Sequence, residues 1–323
     1  MPQTRTVSID AVDYFGLAAP VRLRETLSVT VTPRSFPPYL DDLQADWVSS
    51  VATPAFRILA ERRGPGRSAA FCSIGTGTGL DALAAVEVLD ARLVAVTDVH
   101  EDVVAAARDN ILGNLRDAAA VRLLAGTGDL LSPLAPDAPR FDVIYENLPN
   151  VALDDAAQLE NGITSSSYVP PRREAVPPAV RSALLTLHYV ALEQAKGFLA
   201  PGGVVLSMLG ARVPLRTFID MAAHAGYQPS FLTYGWKVQA EAEDILRGHA
   251  EWQRRGLGPF HFYRVADLEH AFAGLTPAEA APLAQVIEGH LAPHRLDAEA
   301  ALAAHRSGAR IGHTYAVLHS AVE

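Results

Sequence analysis

The sequence predicts an α/β fold in which a mostly parallel sheet carries helices on both faces. Three observations lead there. From residue 69 onward, short apolar runs alternate with helical stretches, the pattern of βαβ units. A glycine-rich turn, Ser73-Ile-Gly75-Thr-Gly77-Thr-Gly79, joins the first of these runs to the first helix. Of the 323 residues, 49% are hydrophobic and 20% charged, enough apolar surface for one large core or two small ones.

The elements follow in order. Leu27–Pro33 alternates β-branched residues and reads as a strand or hairpin arm. Ser35–Tyr39 is a proline-stiffened turn. A helix is expected from Asp41 to about Arg62, with acids in its first turn and a break or kink at Pro54. Arg63–Arg67 is a loop. Ala69–Ile74 is a strand, Leu80–Val88 a helix, Arg92–Val99 a strand, Glu101–Leu115 a helix, and Val121–Ala125 and Phe141–Tyr145 two further strands. A long irregular stretch runs to Pro178. Arg181–Leu199 reads as a helix closed by Pro201-Gly-Gly203. Val204–Leu209 is a strand, Leu215–Ala225 a helix and Ser230–Thr233 a strand. Helices are then expected at Ala240–Arg255, Leu268–Gly274, Pro277–Leu291 and Asp297–Arg306, interrupted by a strand-like Phe260–Val265. Ile311–His319 is the final strand. This divides the chain into an N-terminal lid or extension, 1–54, and a catalytic domain, 55–323. Within the latter, 239–310 is a mainly helical insertion, read as a cap or dimer element.

Composition narrows the function. A net charge of −9 disfavours a nucleic-acid partner, whose phosphates call for lysine and arginine. The longest apolar stretches fall short of the ~20 residues a membrane span needs, and residues 1–20 lack a basic start followed by an apolar run. The single cysteine, Cys72, allows no intrachain disulfide and no cysteine-built zinc site. Together these give the expectation of a cytoplasmic protein with neither nucleic-acid nor membrane partners. Lysine occurs only at Lys196 and Lys237 among abundant alanine and arginine, a bias suggesting a GC-rich bacterial source. No histidine and carboxylate spacing suggests a metal site, and no Gly-x-Ser-x-Gly elbow suggests a hydrolase.

The glycine turn is the strongest signal. Glycines let the chain turn tightly and let a ligand approach the backbone and the following helix N-terminus. The pattern serves both dinucleotides and S-adenosylmethionine. Asp98, about 20 residues on at the end of the next strand, can accept hydrogen bonds from ribose hydroxyls with either cofactor. Three later features favour S-adenosylmethionine over a nicotinamide: Gly128-Asp129-Leu130 after the third strand, Glu146-Asn147-Leu148-Pro149-Asn150 after the fourth, and Phe198–Gly203 before the fifth. In this order and spacing the chain resembles the class I S-adenosylmethionine-dependent methyltransferases over residues 55–235, with a final strand near 311–319. The resemblance implies their Rossmann-like fold with a seven-stranded, mostly parallel sheet. It also implies roles by position. The backbone of Gly75, Thr76, Gly77 and Gly79 would pass the methionine part, Asp98 with Val99 beside it would hold the ribose, and Asp129 and Leu130 would flank adenine.

Asn147-Leu-Pro-Asn150 resembles the Asn-Pro-Pro-Tyr motif of methyltransferases acting on amide or amine nitrogen. There the asparagine accepts hydrogen bonds from the target NH₂ and aims its lone pair at the sulfonium carbon. This chain has Leu148 in place of the first proline and Asn150 in place of the stacking aromatic, which favours a small aliphatic amine over a flat substrate. Asn147 is therefore both a cofactor-side and a catalytic candidate. Tyr168, in the irregular stretch, and Ser207, toward the end of the fifth strand, are the other catalytic candidates. Two readings stand: an N-methyltransferase of a small metabolite, in a possible homodimer, and a cyclase. In the second, as in the azetidine-2-carboxylate synthases, the sulfonium compound's own amine displaces methylthioadenosine. A non-catalytic binding module is a third.

Overall fold

The computed structural model describes residues 3–64, 69–150 and 174–322. Strand β1 (Arg5–Asp10) leads through helix α1 (Ala11–Phe15) to β2 (Thr26–Val31), and the two strands pair antiparallel. Helix α2 spans Thr53–Arg63. The βαβ region then gives β3 (Ala70–Ile74), α3 (Leu80–Val88), β4 (Leu93–Asp98), α4 (Glu101–Asn114), β5 (Arg122–Thr127) and β6 (Phe141–Glu146). After the undescribed residues 151–173 come α5 (Pro178–Ser182), α6 (Thr186–Ala195), β7 (Leu199–Ala211), α7 (Leu215–His224) and β8 (Gln228–Val238). The insertion contributes α8 (Ala242–Arg254), the two-residue β9 (Tyr263–Arg264), α9 (Val265–Ala271), α10 (Pro277–Ala280), α11 (Ala284–Leu291) and α12 (Ala298–Arg306). Strand β10 (Ile311–Ala321) follows.

The main sheet runs β5-β4-β3-β6-β7-β10-β8. Strands β3 to β7 pair parallel, and β10 lies antiparallel between β7 and β8. This is the expected Rossmann-like, mostly parallel sheet: seven strands along the path, one of them reversed, with β9 paired to the start of β10. Strand order reverses between β3 and β6. Ligands of such sheets bind in the crevice beyond the carboxyl ends of the strands at that point.

Each face has its own apolar cluster. One holds Ile74, Ile144, Val205, Leu192 and Phe218 together with insertion residues such as Phe262, Leu268 and Leu302. The other holds Val94, Val143, Leu206, Leu83 and Phe56 together with N-terminal residues such as Phe15, Leu23 and Val29. Residues on both sides of position 54 therefore share one core. Helix α4 fastens the hairpin by extending the ladder with side chains. Asn114 Oδ1 accepts from the Ser28 N–H (2.8 Å) and its Nδ2 donates to the Ser28 carbonyl (2.9 Å). Asn110 does the same at Thr30 (2.8 and 2.9 Å). Pairing of this kind satisfies a strand edge that would otherwise be open.

The structure corrects several boundaries. The expected helix from Asp41 begins only at Val48, as a π-helical turn that passes into α2. Pro54 sits in the first turn of α2, where its missing N–H costs nothing, so it starts the helix instead of kinking it. The expected helix 181–199 is two helices, separated where Leu184 adopts φ +64°, a conformation no helix interior tolerates. Its last residue, Leu199, already belongs to β7, which is longer than expected at both ends: Leu199 pairs with Phe141 of β6, and β10 pairs along it as far as Ala211. Strand β1 had no clear sequence signal; its partner β2 draws it out.

Candidate functional site

The glycine turn leaves β3 with three residues at positive φ: Gly75 (+68°), Gly77 (+53°) and Gly79 (+80°). A Cβ on Gly79 would meet Ile111 Cγ1 at 3.1 Å and the Ala107 carbonyl at 3.2 Å, whereas one on Gly77 would meet nothing within 4 Å. Gly79 is thus fixed by packing of α3 against α4, and Gly77 leaves backbone open to a ligand. Gly75 and Thr76 both donate their N–H groups to the Thr97 carbonyl (2.8 and 3.1 Å), tying the turn to β4. Below it, the Asp81 carboxylate is 5% exposed. It accepts from the Ser73 hydroxyl, from Thr76 Oγ1 at 3.2 Å and from the Ala82 N–H at 2.8 Å. Burial raises its pKa to about 6, against the opposing pull of these hydrogen bonds.

Asp98 ends β4 beside the turn. Its Oδ1 accepts from the His100 N–H (3.1 Å) and its Oδ2 from the Gly77 N–H (3.4 Å). Burial raises its pKa, and those N–H groups restrain the rise. Its carbonyl accepts from the Gly128 N–H at 2.9 Å, which brings Gly128–Leu130 alongside. Val99 and Asp129 are part-buried. Leu130 has φ +50° and is buried in the apolar cluster, so the loop after β5 is firmly seated. Gly75, Thr76, Gly77, Gly79, Asp98, Val99, Asp129 and Leu130 thus gather at the carboxyl ends of β3, β4 and β5.

Asn147 follows β6, across the switch point, and is exposed. Leu148 is buried, with Cδ2 lying 3.3 Å from where a Gly75 Cβ would be. The residue standing in place of the first proline therefore packs onto the glycine turn. Ser207 lies in register with Glu146 on the adjacent strand β7. It is fully buried, and its hydroxyl has no hydrogen-bond partner among the described residues. Tyr168 lies outside the described residues.

Two site-adjacent carboxylates stood outside the sequence-derived set. One is Asp81. The other is Glu146, fully buried at the end of β6, with both oxygens 2.9 Å from His188 Nδ1 on α6. Glu146 Oε2 also accepts from the Leu148 N–H (3.1 Å), so this pair braces the chain around Asn147. A histidine amid the apolar α6 sequence Leu187, Val190, Ala191 and Leu192 was its available signal, since a buried imidazole needs a partner. Among the described residues, no cluster of three or more histidine, cysteine or carboxylate groups could hold a metal ion, and no helix is long and apolar enough to cross a membrane.

The strand order and the connections at its carboxyl edge define a Rossmann-like α/β fold. No protein-family model and no curated protein matches the sequence. Among solved structures, the chain is similar to the YcgJ protein of Bacillus subtilis, with 12% identity over 84% of this chain and 98% of that one and a TM-score of 0.43. It is also similar to a methyltransferase from Pyrococcus furiosus (19% identity, 56% and 75% coverage, TM-score 0.37). A precorrin-6y methyltransferase from Geobacter metallireducens is a third such structure (14% identity, 59% and 79% coverage, TM-score 0.36).

Proposed function

We propose that the chain binds S-adenosylmethionine over β3, β4 and β5 and is a transferase acting on a small amine, in the simplest case by N-methylation. One observation supports this most: the glycine turn, Asp98 and Asn147 stand at the carboxyl ends of β3, β4 and β6, on both sides of the switch point. The residues fit the cofactor. Gly77 leaves open backbone, and Asp98 offers a ribose an acceptor already oriented by two N–H groups. The bound sulfonium would supply the activated carbon.

The protein's work is placement. Asn147 would accept hydrogen bonds from the incoming NH₂ and direct its lone pair, a contribution of orientation. Glu146 and His188 hold the backbone that carries Asn147. The attacking nitrogen must shed a proton, and the exposure of Asn147 lets water accept it.

A second reading is favoured by the seating of Leu148. This leucine seals against Gly75, and no aromatic follows it at Asn150 to hold a planar acceptor. In that reading the amine is that of the sulfonium compound itself. A nitrogen–carbon bond forms within its aminobutyrate part, the carbon–sulfur bond breaks, and methylthioadenosine leaves with the electron pair.

Titration calorimetry with S-adenosylmethionine, followed by incubation with it alone and with a panel of aliphatic amines, tests both readings. S-adenosylhomocysteine formed only with an amine supports the methyltransferase. Methylthioadenosine formed without any acceptor supports the cyclase. No binding refutes both.

A further inference from the structure

Beyond the end of β7 the chain carries a cation with no counter-charge among the described residues. Arg212 follows Ala211 and is part-buried. Its Nε donates to Gln239 Oε1 (2.9 Å) and its Nη2 to His313 Nε2 (2.9 Å). Both acceptors are neutral. His313 is 2% exposed and donates its Nδ1–H to the Thr314 carbonyl (2.8 Å), which fixes the tautomer that leaves Nε2 as acceptor. Burial, with Arg212 nearby, holds this imidazole well below its ordinary pKa. The same two causes push His249 down to about 3. No carboxylate pairs with Arg212, and its Nη1 has no hydrogen-bond partner among the described residues.

The guanidinium is also held in place. It lies against the backbone of Gly210, where a Cβ would collide with Nη1, and the Arg212 carbonyl accepts from the His261 N–H (2.7 Å). Trp47 stacks on His313 with ring centres 6.4 Å apart. With Nε and Nη2 engaged and Nη1 without a hydrogen-bond partner among the described residues, the guanidinium presents a preformed fork.

We propose that Arg212 is the receptor for the carboxylate of a small organic acid, bound through the Nη1–Nη2 edge at the outer end of β7. One monovalent cation and one open edge match a planar monoanion. A phosphate would call for more donors, and those of Lys237, the other cation acting on His313, are directed to the Gln44 and Asp46 carbonyls and the Ser50 hydroxyl. Glu146, which precedes Asn147, is level with Ser207 by register, so Arg212 lies five residues further on, about 17 Å along the strand direction of β7. This site does not rest on the cofactor assignment.

The test uses the full chain without cofactor. Acetate, glutarate and L-glutamate are titrated at constant ionic strength against chloride and phosphate. Thermal unfolding and the fluorescence of Trp47 are followed, with Trp47→Phe separating its signal from those of the other tryptophans. Carboxylates are expected to raise the melting temperature in a saturable way and to perturb Trp47. Arg212→Gln should weaken the apparent affinity about tenfold or more, and Arg212→Lys should lose most of it too because a lysine cannot offer the fork. Should the variants not fold, the wild-type titrations still decide. A wild type that responds to no carboxylate, responds more strongly to phosphate, or responds as Arg212→Gln does overturns the proposal.

Discussion

Asp81 is a carboxylate whose burial works against the fold at neutral pH. Its ordinary pKa of 3.8 is raised to about 6, chiefly by desolvation. The folded state therefore binds a proton between roughly pH 4 and 6 that the unfolded chain has released. For a group raised in this way, the stabilising contribution is complete below the unfolded value and is lost as pH climbs through the folded value. A rise of about two pH units corresponds to about 3 kcal/mol. Asp81→Asn keeps an acceptor for the Ala82 N–H and places an NH₂ that can donate to the Ser73 hydroxyl oxygen, but it cannot ionise. Its stability relative to wild type should therefore grow by about 3 kcal/mol between pH 4 and pH 7 and then level off. Urea unfolding of both proteins at half-unit pH steps measures this, and subtraction removes the titration of every other carboxylate. A difference that stays constant within about 0.5 kcal/mol across the range would refute the reasoning, for Asp81 would then carry the same charge in both states.

Other consequences can be checked with the same material. Asp98→Ala removes the ribose acceptor and should weaken S-adenosylmethionine binding about tenfold to a hundredfold by calorimetry; an unchanged affinity would remove Asp98 from the site. Asn147→Ala should retain that affinity while turnover falls about a hundredfold, as expected for a residue that orients the nucleophile. His188→Leu leaves Glu146 buried without its partner and should cost about 3–5 kcal/mol of stability, with Glu146→Gln added on top recovering part of the loss. Gly79→Ala forces a side chain into φ +80° against Ile111 and Ala107 and should destabilise by about 1–3 kcal/mol.

The βαβ region was legible because its periodicity is local. The expected α3, Leu80–Val88, matches to the residue, and β3, β4 and β6 match within two. The glycine turn was legible because positive φ demands particular residues. What the sequence hid depends on distant partners. Strand β1 exists through β2, and β2 through two asparagines 80 and 86 residues away. Glu146 looked like one more residue of a loop motif, because its buried partner lies 42 positions on, in a helix whose histidine resembled ten others. Arg212 carried no signal at all, since what distinguishes it is a missing neighbour. Leu184 broke an otherwise good helical pattern by adopting φ +64°, which its residue type does not announce.

Strand β10 joins β7 to β8 along ten residues of ladder on each side at most, yet it begins at Ile311, more than 70 residues after β8 ends at Val238. During synthesis, β7 and β8 must therefore wait with unsatisfied edges while the whole helical insertion is made. Open, apolar strand edges are where nascent chains cross-pair. A compact insertion brings the ends of that gap together early and shortens the wait. Its helices would in that case serve the birth of the protein as much as its finished shape, and shortening them should lower the yield of folded chain before it touches the site.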